Sequence, residues 1–160
     1  MLRKHLLTDQ PAERVVESGE KDITALATVW VTSEATDFPI DNAFDSHRGP
    51  GGSRWVAGTP GPQRLLLVFD APQTLRRLCL EVEEQDVSRT QELHVAISRD
   101  GGHTYQTLLR QEYTFSAPGT TFEREEWAIP VEGVTHLQLV ITPDKGGTPC
   151  HATLTTLALQ

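Results

Sequence analysis

Basic charge is scarce in this chain: 14 lysines and arginines stand against 22 aspartates and glutamates, for a formal net charge of −8. A nucleic-acid partner demands a basic face that releases phosphate counterions, and no basic stripe is present, so no nucleic acid is expected. Cysteine is scarcer still, with Cys79 and Cys150 alone in the sequence. Two cysteines make no framework of bridges. Cys79, inside the apolar run RRLCLEV, reads as a small buried hydrophobe, with a Cys79–Cys150 bridge as the alternative. No apolar run is long enough to span a membrane, and the opening MLRKHLLTDQPAERVVESGEKD shows neither a long h-region nor a small-residue cleavage site. The expectation is a cytoplasmic protein with reduced thiols.

Catalytic patterns are missing as well. There is no G-x-S-x-G elbow, no H-E-x-x-H, no phosphate-cradling P-loop and no C-x-x-C. The histidines (His5, His47, His94, His103, His136 and His151) are scattered without ligand spacing. The acidic runs at Glu81, Glu83, Glu84 and Asp86 and at Glu123, Glu125 and Glu126 read as solvated strand faces. A carboxylate pair for glycoside hydrolysis picked from so many acids would carry no weight. The expectation is that the chain is not an enzyme.

What is present points to β-structure. With 160 residues, 38% hydrophobic, 12 glycines and 10 prolines, the chain suits one soluble, turn-rich domain with a real core. Residues 1–22 form a polar N-terminal extension, either a short helix through 3–7 or 12–17 or a segment draped over the domain. From Ile23 to the end, short strands follow one another: ITALATVWVTS, RLLLVFD, TLRRLCLEVE, ELHVAIS, HTYQTLLRQEY, FEREEWAIP, VTHLQLVIT and HATLTTLAL. Leu78, Leu80 and Val82 share one face. Leu93, Val95 and Ile97 point inward, with Glu92, His94 and Ala96 outward. Trp30 and Trp127, inside strands, are expected in the core. The fold class is all-β, an antiparallel sandwich of about eight strands.

If consecutive strands alternate in direction, the short connections 70–73, 99–102 and 130–133 share one end, and the longer ones 34–60, 84–90, 113–121 and 143–150 share the other. Binding residues favour long loops on a rigid scaffold, so the second end is the candidate surface.

The segment 38–58, FPIDNAFDSHRGPGGSRWVAG, narrows the field. Pro39, Ala43, Asp45 and Trp55, then ISRDGGHTY with Ser98, Asp100, Gly101 and Tyr105, then the closing LQLVITP and ATLTTLAL, resemble in order the discoidin family. This is also called the coagulation factor five/eight (F5/8) type C domain family, and the resemblance covers roughly residues 24–160. It implies an eight-stranded, galactose-binding-like jelly roll over 23–160 and a glycan ligand. Ser46 stands where the family has glycine, and Ser53 where threonine is common. The family's end-to-end disulfide has no cysteine near Ile23 to form it. Members often hold calcium with carbonyls, a carboxylate in this loop and a glutamate in the final strand. Asp45 matches the first carboxylate, whereas the glutamate position holds Thr155 or Thr156. Asp45 is therefore either a metal ligand for a structural Ca2+ or an Asx-turn residue.

At the long-loop end, His47, Arg48, Arg89 and Tyr113 are the candidate ligand contacts. Arginine offers a planar fork of donors for hydroxyls or carboxylates, and a tyrosine ring offers an apolar face beside a hydroxyl that tolerates water. Trp55 is expected in the core beneath the loop, Phe115 as a loop plug, and Arg54 either as a loop contact or in a structural ion pair. The function expected is a non-catalytic binding module for a galactose-like carbohydrate, acting through the long loops. The alternative is an intracellular protein–protein adaptor domain on the same fold.

Overall fold

The computed structural model describes residues 19–160; the helices weighed at 3–7 and 12–17 lie outside the described residues. One turn of helix, Ile23–Leu26, is capped by Asp22, whose carboxylate accepts from the Thr24 amide at 3.0 Å. The strands follow: β1 Ala27–Val31, β2 Trp55–Val56, β3 Gln63–Glu83, β4 Arg89–Ser98, β5 Gln106–Phe115, β6 Phe122–Thr142, β7 Thr153–Leu154 and β8 Thr156–Leu159. All pairings are antiparallel.

The strands expected as RLLLVFD and TLRRLCLEVE are one strand, β3, and those expected as FEREEWAIP and VTHLQLVIT are one strand, β6. The sequence-level breaks at Pro72, Pro130 and Gly133 are bends inside them. The β3–β6 register shifts between Val68 and Arg77, and Gly133 takes φ +67°. Proline lacks the ladder amide and glycine accepts positive φ, so these residues suit a bulge where a strand leaves one sheet for another. Before the bend, 63–69 of β3 and 136–142 of β6 lie between β1 on one side and β4 and β5 on the other. Beyond it, 77–83 of β3 pairs with both 122–128 of β6 and β8. The result is an antiparallel jelly-roll sandwich with a five-stranded and a three-stranded layer.

The inward residues alternate along every strand. Leu65, Leu67, Leu93, Val95, Ile97, Leu137, Leu139 and Ile141 face Leu78, Leu80, Val82, Leu157 and Leu159 in one core. The segment 38–58 closes its edge. A 3-10 turn at Ile40–Phe44 buries Ile40, Ala43 and Phe44, and Trp55 pairs in β2 with Leu154 of β7. Trp55 is 1% exposed, and its indole N–H donates to the Ser33 carbonyl at 3.0 Å. The expectation of a core tryptophan holds. Cys79 and Cys150 are both buried and free, so the alternative bridge is not formed.

The two ends separate as the alternation implied. At the short end, Arg99 Nε donates to the Glu132 carbonyl and the Gly101 amide to Thr135 Oγ1. At the long end, the Glu84 amide donates to the Thr121 carbonyl and the Lys145 amide to the Thr90 carbonyl, which ties the long loops together. Trp55→Ala removes the largest fully buried side chain and is expected to cost about 3–5 kcal/mol. Urea unfolding followed by circular dichroism measures this directly.

Candidate functional site

The loop 45–53 at the long end is held by carboxylates beneath it. Alternation in β3 sends Leu80 and Val82 into the core and Glu81 and Glu83 to the opposite face, yet Glu81 is 1% and Glu83 3% exposed, because the loop lies over them. Glu81 accepts from the Gly49 amide at 3.2 Å, and Glu83 Oε2 from the Gly51 amide at 2.9 Å. Arg124 closes the other side of Glu81 at 3.2 Å. These acids, expected to be solvated, are buried and paired. Charge-assisted bonds to backbone amides are stronger than neutral ones, which makes them a firm floor.

Asp45 serves that loop too. Its Oδ1 accepts from the His47 amide at 3.0 Å, forming an Asx turn, and its Oδ2 meets the Ser53 hydroxyl and His47 Nδ1. Ser46 follows with φ +71°, a left-handed conformation costly for a residue with a side chain and natural to the glycine of the resemblance. The Thr156 hydroxyl donates to the His47 carbonyl at 3.1 Å, so a neutral donor binds this loop oxygen. Thr155 is buried and its hydroxyl has no partner among the described residues. No cluster of three or more histidine, cysteine, aspartate or glutamate side chains suited to a metal occurs among the described residues. A calcium ion needs several oxygen ligands with carboxylates among them. The described residues bring one carboxylate to this position, Asp45, with Thr155 and Thr156 in the final strand, which falls short of that ligand set.

The candidate contacts do not form one site. His47 is presented to solvent, its side chain 70% exposed. Arg48 turns away to pair with Glu20 at 2.6 Å, above Arg77, Cys79 and Arg124 on the outer face of the three-stranded layer. Burial there pushes the Cys79 thiol up to about 11. Arg89 and Tyr113 require correction, because neither is a surface residue. Arg89 is 5% exposed, and donates to the His151 carbonyl at 2.5 Å and to Glu84 and Thr153 Oγ1, each at 3.4 Å. Tyr113 is 4% exposed in β5, opposite Gln91 of β4. Burial first, then the charges of Glu125 and Glu123, holds its hydroxyl well above the usual tyrosine range. Both follow from strand parity: Arg89 and Gln91 continue the inward series Leu93, Val95, Ile97. Phe115 is buried as expected, and Arg54 stacks on Phe38 at 5.0 Å, with no ion pair among the described residues.

A different surface carries an exposed aromatic. Trp30 is 64% exposed, which overturns its expected place in the core. In β1, Ala27 and Val29 point inward, so Thr28 and Trp30 point outward; the period-two pattern of ATVWVTS carries that signal. Trp30 lies opposite Leu66, and beside them Thr32, Val31 and Arg64 complete a shallow groove of about 190 Å³. The Thr32 hydroxyl accepts from the Arg64 amide at 2.8 Å, and Arg64 Nε donates to Gln138 Oε1 at 2.8 Å. A larger groove of about 480 Å³ at the short-loop end is lined by Leu75, Arg76, Arg99, Pro130 and Glu132, without an aromatic.

Two outcomes follow from this geometry. Arg89→Ala leaves Glu84 buried without its cation and is expected to destabilise the domain by about 3–5 kcal/mol in urea unfolding. A surface ligand contact would leave stability nearly unchanged. Adding millimolar calcium, or a chelator, is expected to leave the thermal midpoint where it was. A rise with calcium that Asp45→Ala abolishes would contradict the hydrogen-bonded loop.

No family model matches the chain, and no curated protein does. Solved structures match well in shape. A family 32 carbohydrate-binding module of NanJ from Clostridium perfringens, solved with galactose, superposes with a TM-score of 0.60 at 13% identity, over 88% of this chain and 96% of that one. Another, CBM32-3 of a family 31 glycoside hydrolase from Clostridium perfringens, gives 0.61 at 15% identity, over 88% and 93%. The family 32 module of AlyQ, solved with 4,5-unsaturated mannuronic acid, gives 0.57 at 14% identity, over 84% and 95%. At such identities the likeness is one of fold: this chain shares the sandwich of these modules.

Proposed function

We propose that the chain is a non-catalytic carbohydrate-binding module, of the discoidin kind within the galactose-binding-like fold, and that its sugar-stacking surface is centred on Trp30. The observation that carries this reading is the indole itself. An aromatic ring 64% exposed on a sheet face is apolar surface left in water. Pyranose rings present C–H faces that pack on such a ring, while their hydroxyls turn to neighbouring donors and acceptors; Arg64, Thr32 and Gln138 supply these. The shared fold supports the same reading, since the similar modules were solved with galactose and a mannuronic acid derivative. The sequence placed recognition on the long loops. There Arg48 and Arg89 are engaged by Glu20 and Glu84, and His47 alone of the side chains singled out faces solvent.

A second reading, docking of a protein, is favoured by one observation: β1 ends the hydrogen-bonded order of its layer, so the strand carrying Trp30 has a free edge among the described residues. Such edges accept added strands.

A glycan array probed at high protein density is expected to give hits. Trp30→Ala is expected to weaken them by about tenfold or more, roughly 1.4 kcal/mol, with the thermal midpoint unchanged. A silent array for the parent protein sinks the carbohydrate reading. A stoichiometric protein partner lost on Trp30→Ala would then favour docking.

A further inference from the structure

We propose that the Trp30 surface selects acidic sugars, with the guanidinium of Arg64 gripping a uronate carboxylate while the pyranose ring stacks on Trp30. This rests on the carbohydrate reading above and names the class of sugar. Trp30 marks where a ring lies; Arg64 decides what that ring carries.

The guanidinium is oriented before any ligand arrives. Its Nε donates to Gln138 Oε1 at 2.8 Å, and its backbone is clasped by Thr32, whose amide and hydroxyl both donate to the Arg64 carbonyl, at 3.0 and 3.2 Å. With Nε anchored, the Nη1 and Nη2 amino groups have no partner among the described residues. Two parallel N–H donors in a rigid plane match the two oxygens of a carboxylate, and this fork–fork geometry is the strong form of the arginine interaction. An arginine held in place loses less freedom on binding than a mobile one.

The electrostatics of the face agree. Across the layer, Arg64 stands in register with Val140, His94 and Arg110, and Trp30 with Leu66, Gln138 and Ala96. The next row runs through Thr28, Val68, His136 and Ser98. No carboxylate lies on these three rows, in a chain whose net charge is −8. Arg110, at the far end of its row, is paired with Glu92 of the adjoining row at 3.5 Å, so the positive charge an acidic ligand meets beside Trp30 is that of Arg64. The groove of about 190 Å³ is shallow, consistent with one sugar residue of a longer chain seated there. Charge attraction at an exposed site is screened by salt, so binding weakens as ionic strength rises.

The test uses isothermal titration calorimetry with three probes: tri-galacturonate, oligomannuronate and neutral galactotriose. The parent protein is expected to bind at least one acidic probe about tenfold tighter than galactotriose at low salt, the margin narrowing at 0.5 M sodium chloride. Arg64→Gln is expected to erase that margin, weakening the acidic probes about tenfold more than galactotriose, with the thermal midpoint unchanged. Arg64→Lys keeps charge without the fork and is expected to recover only part. Trp30→Ala is expected to weaken acidic and neutral probes together. Equal or tighter binding of galactotriose by the parent overturns the acidic preference and leaves the carbohydrate reading standing, as does a margin that survives Arg64→Gln. Binding of none of the three probes overturns the acidic preference, and a silent glycan array beside it overturns the carbohydrate reading as well.

Discussion

The fold depends on one pairing, that of β3 with β6. Each runs for 21 residues, and they are hydrogen-bonded to one another on both sides of a shared bend. Because both strands turn together, two neighbours pass from one layer into the other without leaving open edges between them. β1, β4 and β5 add to the pair on one side of the bend and β8 on the other. A sandwich made this way has layers joined covalently twice at one end, which leaves the opposite end for long loops. The crowding of loops at one end is thus a consequence of the bend.

Much of this was legible. Period-two alternation identified the inward faces of Leu78, Leu80, Val82 and of Leu93, Val95, Ile97, and turn residues separated the short end from the long one. Pro72, Pro130 and Gly133 signal a break in the ladder equally well for a turn and for a bulge; which occurs depends on pairing with a distant strand. Residue type misled where it was set above position. The high average burial of tryptophan points Trp30 inward, and polarity near a loop points Arg89 and Tyr113 outward. In each case parity with the neighbouring residues held the answer. The floor of Glu81 and Glu83 was beyond reach, since nothing local announces that a loop 32 residues upstream folds back to bond them.

The two surfaces differ in what their side chains are free to do. At the long-loop end, polar groups face inward: Arg89, Glu84, Gln91 and Thr153 form a buried polar seam in which Arg89 Nε, Gln91 Oε1, Tyr113 Oη and Thr155 Oγ1 keep unused valences among the described residues. On the five-stranded layer, Trp30 and Arg64 project from adjacent strands in fixed register, so their spacing is set by the sheet. A shallow, rigid surface of this sort binds weakly in a single copy, and useful strength comes from repetition or tethering.

Thr156 donating to the His47 carbonyl has a further consequence. Where a loop is closed by a bound ion, its shape is an equilibrium with the surrounding solution and loosens when that ion is withdrawn. Here the closing groups, Thr156, Ser53, Glu81 and Glu83, all belong to the polypeptide. The shape of this loop is therefore written into residues that lie far apart in the chain, and a substitution at any one of them reaches all of it.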